Sequence, residues 1–317
     1  MVNGRAVPHH TGVLQPCARP TATAPHGPPH LWFVTSAVFH YLGPSFAVLL
    51  FPRVGVLGVA WFRIASAAAV FAVWTRPWRL FAAASRRTVL LLVALGACLA
   101  LMNSSFYLAI ERLPLGLVAT IEFVGTILVA LIGLRSPRNG AALLLAVAGV
   151  FVLTDVRWAS DPFGLACAVV NGLLFMAYIL LGHRIAREGA AQGVRRLGAA
   201  MAAAFVFVMP IGFGQAAAAL TEPRLVLAGI GVGVCSSVIP YVCDQLAMAR
   251  IPRHTFALML ALLPATATII GAIVLGQIPT VVDLAGVGLV MAGIAIHRSP
   301  ADPPPQPQPV TSARRNS

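Results

Sequence analysis

The sequence predicts an all-α, polytopic membrane protein whose ten transmembrane helices form two inverted-topology repeats of five helices. Three observations lead to this prediction: an apolar composition, an uneven distribution of arginine and an internal repeat. Of the 317 residues, 59% are hydrophobic and only 10% are charged, and the mean hydropathy is +0.87. A globular domain that covers its core with polar residues contains about 25% charged residues. The composition therefore indicates a chain that lies mostly within a lipid bilayer.

Ten apolar segments are candidates for membrane spans. A helix rises about 1.5 Å per residue, so about 20 apolar residues are needed to cross a hydrocarbon core of about 30 Å. The fifth and tenth segments are short, and the ten cover residues 31–51, 54–75, 88–110, 114–133, 139–154, 162–182, 197–214, 225–247, 254–275 and 281–297. The tails at 1–30 and 298–317 are rich in proline and polar residues and lack the apolar run of a signal peptide. They are predicted to be disordered.

The arginine distribution orients these spans. The chain contains no lysine, and with a cytoplasmic N-terminus seventeen arginines fall in the tails and inner loops, four in outer loops and Arg63 within a span. An excess of basic residues on the cytoplasmic side is typical of inner-membrane proteins, so both termini are predicted to be cytoplasmic. Despite the net charge of +13, the basic residues form no stripe with interleaved aromatic residues, which argues against a nucleic-acid partner.

An internal repeat supports two halves of five spans. Residues 109–133 align without gaps to residues 247–271, and Arg112 and Pro114 match Arg250 and Pro252. We place the repeats at 31–155 and 156–297. Because five is odd, the second half enters the membrane from the opposite side. Inverted repeats of this kind commonly build carriers that alternate access around a site between the halves, although a duplication kept only for packing is the alternative.

Polar residues lie at a common depth in several predicted spans. Glu122 is eight residues past Pro114, which places it about 12 Å deep and near the midplane. By the same counting, similar depths are predicted for His40, Arg63, Asn103 and Asn171. A charge at a helix centre costs about 2.5 to 3.5 kcal/mol on insertion scales, so such groups usually face a partner or a wet cavity. Glu122 is therefore predicted either to line a cavity, where it binds a proton or a substrate ammonium, or to form a static ion pair with Arg63.

Four further residues are weaker candidates for the site. Asp244 lies six residues before Arg250, near the inner end of its span, and is predicted to be solvated or paired with arginine in preference to a coupling role. Three tyrosines are candidates either for ligand contact or for the membrane interface: Tyr107, Tyr178 and Tyr241. Gly229 and Gly233 have GxxxG spacing, which predicts close helix packing.

The sequence contains no catalytic or metal-binding motif. A P-loop, a GxSxG motif, a carboxylate pair and a His/Cys cluster with metal-ligand spacing are all lacking. We therefore expect neither an enzyme nor a bound cofactor or metal. Without an ATP-binding module, uphill transport would need exchange or an ion gradient, and protons are the candidate coupling ion.

Several segments resemble the EamA-type carriers of the drug/metabolite transporter superfamily, and among them the bacterial threonine/homoserine exporters. The resemblance covers residues 31–297 and is carried by MNSSFYLAIERLPLGLVATIEFVG at 102–125, FPRVG at 51–55, FMAYILLGHR at 175–184 and SSVIPYVCDQLAMARIPRHTFALMLALLP at 236–264. It implies ten spans and export of small amino acids or related metabolites across the bacterial inner membrane. It also places Glu122 on the Glu of the family's EF pair and Asp244 where the branch usually carries Glu.

Three departures from the family pattern weaken the transfer of substrate and ion coupling. Thr126 stands where the family has proline, Leu263 replaces the Glu before Pro264, and Gln277 replaces the Glu of the common LGE. We expect a secondary transporter with a small-molecule substrate, in contact with the lipid bilayer. The alternatives are a drug or other metabolite carrier, a passive channel and a non-transporting scaffold. The sequence predicts no particular oligomeric state.

Overall fold

The fold is helical throughout the part of the chain that the computed structural model describes, which is residues 29–123, 137–158, 161–186, 190–248 and 262–296. Within these ranges there is no β-strand. The helices are α1 (Pro29–Val54), α2 (Val56–Thr75), α3 (Pro77–Ala83), α4 (Arg86–Ile110), α5 (115–123), α6 (Pro137–Trp158), α7 (Pro162–Ala186), α8 (Ala190–Ala219), α9 (Pro223–Gly233), α10 (Ile239–Met248), α11 (Leu263–Leu275) and α12 (Val281–Ile296). A π-helical turn at Val234–Val238 joins α9 to α10.

Among the residues that the structure describes, six segments are long and apolar enough to cross a membrane by length and composition. They are Leu31–Val54, Val56–Thr75, Arg86–Ile110, Pro162–Gly182, Gln192–Ala219 and Pro223–Asp244, at the predicted spans one, two, three, six, seven and eight. The helix α6 lies at the fifth predicted span, and the shorter apolar helices α11 and α12 lie at the ninth and tenth. The fourth and ninth predicted spans extend into residues outside the described ranges, so the count of ten and the inverted repeat stay predictions.

Glycine and proline set several of the helix boundaries. Gly55 has φ +78°, a positive value that glycine adopts readily, and there α1 ends and the chain turns directly into α2. Proline is the first residue of α3, α7 and α9, where its missing N–H costs nothing. The short helix α3, which the sequence did not predict, follows Arg76 in a left-handed conformation. Ser85 caps α4 by accepting a hydrogen bond from the backbone N–H of Thr88 at 3.3 Å.

Small residues allow the helices to pack closely. The helix α8 lies against both α2 and α4, and it contributes the fully buried alanines Ala199, Ala200 and Ala204. In a bilayer, helix association depends on close van der Waals packing, which small side chains favour. Large apolar side chains instead point outward, as with Ile273, Leu144 and Val206, which are 77%, 72% and 67% exposed. This outward apolar surface is suited to lipid contact.

The two glycines with GxxxG spacing pack against α2. A Cβ added at Gly229 would lie 2.7 Å from the ring of Phe62, and one at Gly233 would lie 2.7 Å from the backbone oxygen of Arg63. By contrast, a Cβ at Gly231 would meet nothing within 4 Å. The predicted close packing is therefore confirmed for the face of α9 that carries Gly229 and Gly233.

We expect Gly233→Ala to destabilise the protein by about 1 to 3 kcal/mol, because backbone atoms of α2 leave no space for the added methyl group. Gly231→Ala is the matched control, and it should be neutral or slightly stabilising because alanine favours the helix. Thermal unfolding of the two variants in the same detergent checks the difference. Equal melting temperatures would contradict the close approach at Gly233.

Two glutamines from the second half of the chain cap helices of the first half. The Oε1 atom of Gln215 accepts hydrogen bonds from the backbone N–H groups of Leu57 (3.0 Å) and Gly58 (3.1 Å), at the start of α2. The Oε1 atom of Gln277 accepts one from the N–H of Leu115 (3.0 Å), at the start of α5. The first N–H groups of a helix have no partner within it, so each glutamine satisfies donors that the helix leaves open.

Gln277 stands where the family pattern has Glu, and its cap on α5 predicts how stability responds when Gln277 is replaced. Gln277→Ala should lower stability by about 0.5 to 2 kcal/mol, as the loss of an N-cap acceptor does. Gln277→Glu should keep the cap, because a carboxylate oxygen accepts the same bond and is favoured at a helix N-terminus. Chemical denaturation of both variants checks this order, and equal losses would show that the cap contributes nothing.

Candidate functional site

A small cavity in the interior is lined by residues from six helices. The lining residues are His40 of α1, Arg63 of α2, Met102, Asn103 and Phe106 of α4, Glu122 of α5, Asn171 of α7 and Tyr241 of α10. The cavity admits about one water molecule. The five polar residues that share a predicted depth all reach it, so residues far apart in the chain form one polar centre within an apolar protein.

Glu122 lies deep in this centre. Its side chain is 3% exposed, and its Oε2 atom is buried without a hydrogen-bond partner. The neighbouring helix α7 approaches closely here, because a Cβ added at Gly172 would lie 3.2 Å from the backbone oxygen of Ile121. This approach places Asn171, one residue earlier on α7, beside the Glu122 carboxylate.

The asparagines contribute further polar groups. Asn171 is fully buried, and its amide group lies beside the Glu122 carboxylate without forming a hydrogen bond of good geometry. The Nδ2 atom of Asn103 donates to the backbone oxygen of Leu99 at 2.7 Å, one turn earlier in its own helix. A buried polar group without a partner costs free energy, and such groups are rare in folded proteins. The Glu122 and Asn171 groups that lack a well-formed hydrogen bond therefore suit a site that receives a polar molecule.

Arg63 is held by contacts with the second half of the chain. Its Nε atom donates to Ser237 Oγ at 2.9 Å, and its Nη2 atom donates to the backbone oxygen of Ser236 at 2.9 Å. The guanidinium carbon lies 5.4 Å from the centre of the Tyr107 ring, within the range of a cation–π interaction. These contacts fix the guanidinium at the cavity wall and leave some of its five N–H donors open.

Arg63 and Glu122 do not form an ion pair in the described part of the chain. Two ion pairs in that part of the chain lie at the protein surface and join Arg112 to Glu111 at 3.8 Å and to Asp161 at 3.6 Å. Both Arg63 and Glu122 line the cavity, but no nitrogen of the guanidinium lies within 4 Å of the carboxylate oxygens. The static bridge considered above for Glu122 is therefore not formed in this structure.

The three candidate tyrosines, Tyr107, Tyr178 and Tyr241, are buried between the packed helices. Tyr241 lines the cavity, and the ring of Tyr178 packs against it with centroids 5.7 Å apart. Tyr107 lies beneath the Arg63 guanidinium, and its hydroxyl is buried without a partner. Tyr178 and Tyr107 thus contact lining residues but do not line the cavity themselves.

Of the two remaining site candidates, His40 lines the cavity and Asp244 does not. His40 lines the cavity and packs edge-on against Tyr41, with ring centroids 5.2 Å apart. Asp244 does not line it; its half-buried carboxylate accepts a hydrogen bond from Ser36 Oγ at 2.5 Å, which joins α10 to α1. Arg250, the nearest candidate for an arginine partner, lies outside the described residues.

Sequence reasoning missed the residues that hold Arg63. Ser236 and Ser237 were part of the family resemblance only, and the lining residues Met102 and Phe106 were not singled out. A signal for Ser236 was present in Pro240, because proline has no N–H to donate to the carbonyl four residues earlier. In the part of the chain that the structure describes, no three His, Cys, Asp or Glu residues group as metal ligands.

Comparison with known proteins finds similarity to membrane transporters. Residues 162–298 match the model of the EamA-like transporter family. The threonine/homoserine exporter RhtA of Escherichia coli (strain K12) is 36% identical over 255 residues, which cover 79% of this chain and 84% of the exporter. RhtA of Salmonella typhimurium (strain SL1344) is 33% identical over 266 residues, covering 81% and 88%. A solved crystal structure at 18% identity, with a TM-score of 0.55 over 85% of this chain and 96% of its own, shares the fold.

Proposed function

This chain belongs to the EamA-like transporter family of the drug/metabolite transporter superfamily, and from that premise we propose that it exports threonine, homoserine or a closely related amino acid. As a relative of these exporters it is a multi-pass protein of the bacterial inner membrane and not an enzyme. The observation that carries the proposed substrate class is the pair of opposite charges, Glu122 and Arg63, which line one buried cavity without bonding to each other.

A zwitterionic amino acid matches this pair of charges. Its ammonium group binds the Glu122 carboxylate, and its carboxylate binds the guanidinium N–H groups of Arg63 that the protein leaves open. Arginine suits a carboxylate because its planar fork presents parallel donors. The buried amide of Asn171 can hydrogen-bond a side-chain hydroxyl, with Asn103 and Tyr241 as neighbours. His40, Tyr107 and Tyr178 complete or support the walls.

Transport proceeds by alternating access between two five-helix halves, at 31–155 and 156–297, with both termini in the cytoplasm. Contacts between the two halves close the site toward each side of the membrane. Near the predicted cytoplasmic end, Ser36 of the first half bonds Asp244 of the second. Near the predicted outer end, Gln215 and Gln277 of the second half cap α2 and α5 of the first. A cavity that admits about one water is too small for threonine, so one of these closures must open before substrate enters.

Protons supply the coupling in this proposal. A carboxylate that binds an ammonium group in one step and a proton in another cannot hold both at once, so Glu122 exchanges one for the other. This competition is the simplest way for a site with one deep acid to link the movement of protons to the movement of the amino acid.

Ligand-dependent thermal stabilisation tests the proposed substrate class. The purified protein is titrated with threonine, homoserine, other amino acids and cationic drugs, because a ligand that binds the folded state raises its melting temperature saturably. Stabilisation by threonine or homoserine supports the proposal. Stabilisation by a cationic drug alone favours the drug carrier, and no stabilisation by any compound favours the scaffold. In proteoliposomes, flux that neither saturates nor shows exchange would identify a passive channel.

A further inference from the structure

The continuous helix from Pro223 to Met248 is interrupted at the level of Arg63. Residues 234–238 form a π-helical turn, in which the N–H of Ile239 bonds the carbonyl of Val234, five residues earlier. Pro240 follows directly and has no N–H, so it cannot donate to the carbonyl of Ser236, its α-helical partner. Turns of this kind are frequent at functional sites. The local sequence thus leaves a backbone acceptor open inside the membrane, where open acceptors are costly.

Arg63 satisfies that acceptor from the neighbouring helix. Its Nη2 atom donates to the Ser236 carbonyl at 2.9 Å, while its Nε atom donates to the hydroxyl of Ser237 at 2.9 Å. Ser236 and Ser237 are fully buried, so water does not compete for these bonds. The two bonds hold two atoms of one planar group, which fixes the orientation of the plane and not only its position.

This orientation decides what the guanidinium can bind. The cavity that Arg63 and Glu122 share admits about one water, so a guanidinium released from Ser237 has the Glu122 carboxylate as an alternative partner at the same cavity. An ion pair there would occupy both ends of the proposed site at once. A guanidinium that bonds the π-helical turn instead keeps its remaining N–H groups available for a substrate carboxylate.

We propose that Ser237 is a positioning residue for substrate recognition: together with the Ser236 carbonyl that Pro240 leaves open, it orients Arg63 toward the substrate carboxylate and away from Glu122. The inference rests on the proposed function and adds a determinant of specificity to it. Ser237 does not touch the substrate; it acts through Arg63.

The test compares binding of threonine with binding of threoninamide, which keeps the ammonium and hydroxyl groups but lacks the carboxylate. Wild type should prefer threonine by at least about tenfold, as expected for hydrogen bonds to a charged group. In Ser237→Ala the ratio of the two affinities should fall toward one, because the carboxylate contribution is lost. A structural defect alone would weaken both ligands equally and leave the ratio unchanged.

Two further variants make the test specific. Ser45→Ala is the matched control, because it removes a buried serine hydroxyl that donates to the backbone oxygen of Tyr41 in its own helix and does not line the cavity. Its affinity ratio should equal that of wild type. Pro240→Ala restores a backbone N–H that competes for the Ser236 carbonyl, so its ratio should fall as well. Because Pro240→Ala makes the helix more regular, it can test the proposal even if Ser237→Ala does not fold.

The outcomes separate this inference from the proposed function. A wild type that prefers threonine, with a preference that Ser237→Ala and Pro240→Ala lose, supports both. A wild type that prefers threonine, with a preference that both variants retain, overturns the role of Ser237 and leaves the exporter proposal standing. A wild type that binds neither compound overturns the proposed substrate, and the role of Ser237 with it.

Discussion

Glu122→Gln is expected to abolish saturable threonine export, or to release it from its driving gradient, while the protein stays folded in the membrane. Losing one partner of a buried, hydrogen-bonded charge pair costs about 2 to 5 kcal/mol, so threonine affinity should fall about 30-fold or more. Stability should not fall, because Glu122 has no ion pair in the described part of the chain and glutamine has nearly the same shape. Removing a buried charge without a partner is neutral or favourable.

Export from proteoliposomes measures the predicted loss of transport, and thermal unfolding measures the predicted unchanged stability. Glu222→Gln is the matched control, because it makes the same chemical change at an exposed residue before α9 whose side chain makes no capping bond. The control should retain export. Full, gradient-coupled export by Glu122→Gln would defeat the proposed role of Glu122. A lower melting temperature without any ligand effect in wild type would instead favour a static pair with Arg63.

Arg63→Lys is expected to lower threonine affinity about 10- to 100-fold although the charge is kept. A lysine ammonium has no planar fork, so it cannot bond Ser237, the Ser236 carbonyl and a substrate carboxylate at the same time. The variant should also lose stability, because at least one of these two buried acceptors is left without its donor. Titration calorimetry with threonine and thermal unfolding measure the two effects.

Arg112→Lys is the control for Arg63→Lys. Arg112 also lies over an aromatic ring, that of Phe163 at 5.0 Å, but its side chain is 44% exposed and its ion pairs are on the surface. Exposed pairs contribute about 0 to 1 kcal/mol, so this variant should bind threonine nearly as wild type does. Unchanged threonine affinity in Arg63→Lys would remove Arg63 from carboxylate recognition. The site would then suit a cation without a carboxylate.

The sequence predicted one common depth for five site residues, because an α-helix has a constant rise per residue. Counting from helix ends placed His40, Arg63, Asn103, Glu122 and Asn171 at one level, and all five line the same cavity. Counting does not give the direction in which a side chain points. This is why Tyr241 lines the cavity while Tyr107 and Tyr178 lie behind its walls, a distinction that depends on how each helix is rotated within the packed structure.

The sequence did not predict which side chains bond to each other. The predicted alternative partner of Glu122 was Arg63, yet Arg63 bonds Ser236 and Ser237, more than 170 positions later in the chain. Gln277 was noted only as a departure from the family pattern, yet its side chain caps α5. Such contacts depend on which helices lie side by side, and local propensity carries no information about that.

The sequence by itself determined the membrane location, the helical class and the family, and it predicted one common depth for five polar residues. These properties depend on apolar length, composition and a fixed helical rise, all of which can be counted along one chain. Only the tertiary structure decided that Arg63 bonds residues of a π-helical turn and forms no ion pair with Glu122, although both line one cavity. These features depend on the close approach of α2 to α9 and of α5 to α7, which small residues at Gly233 and Gly172 permit.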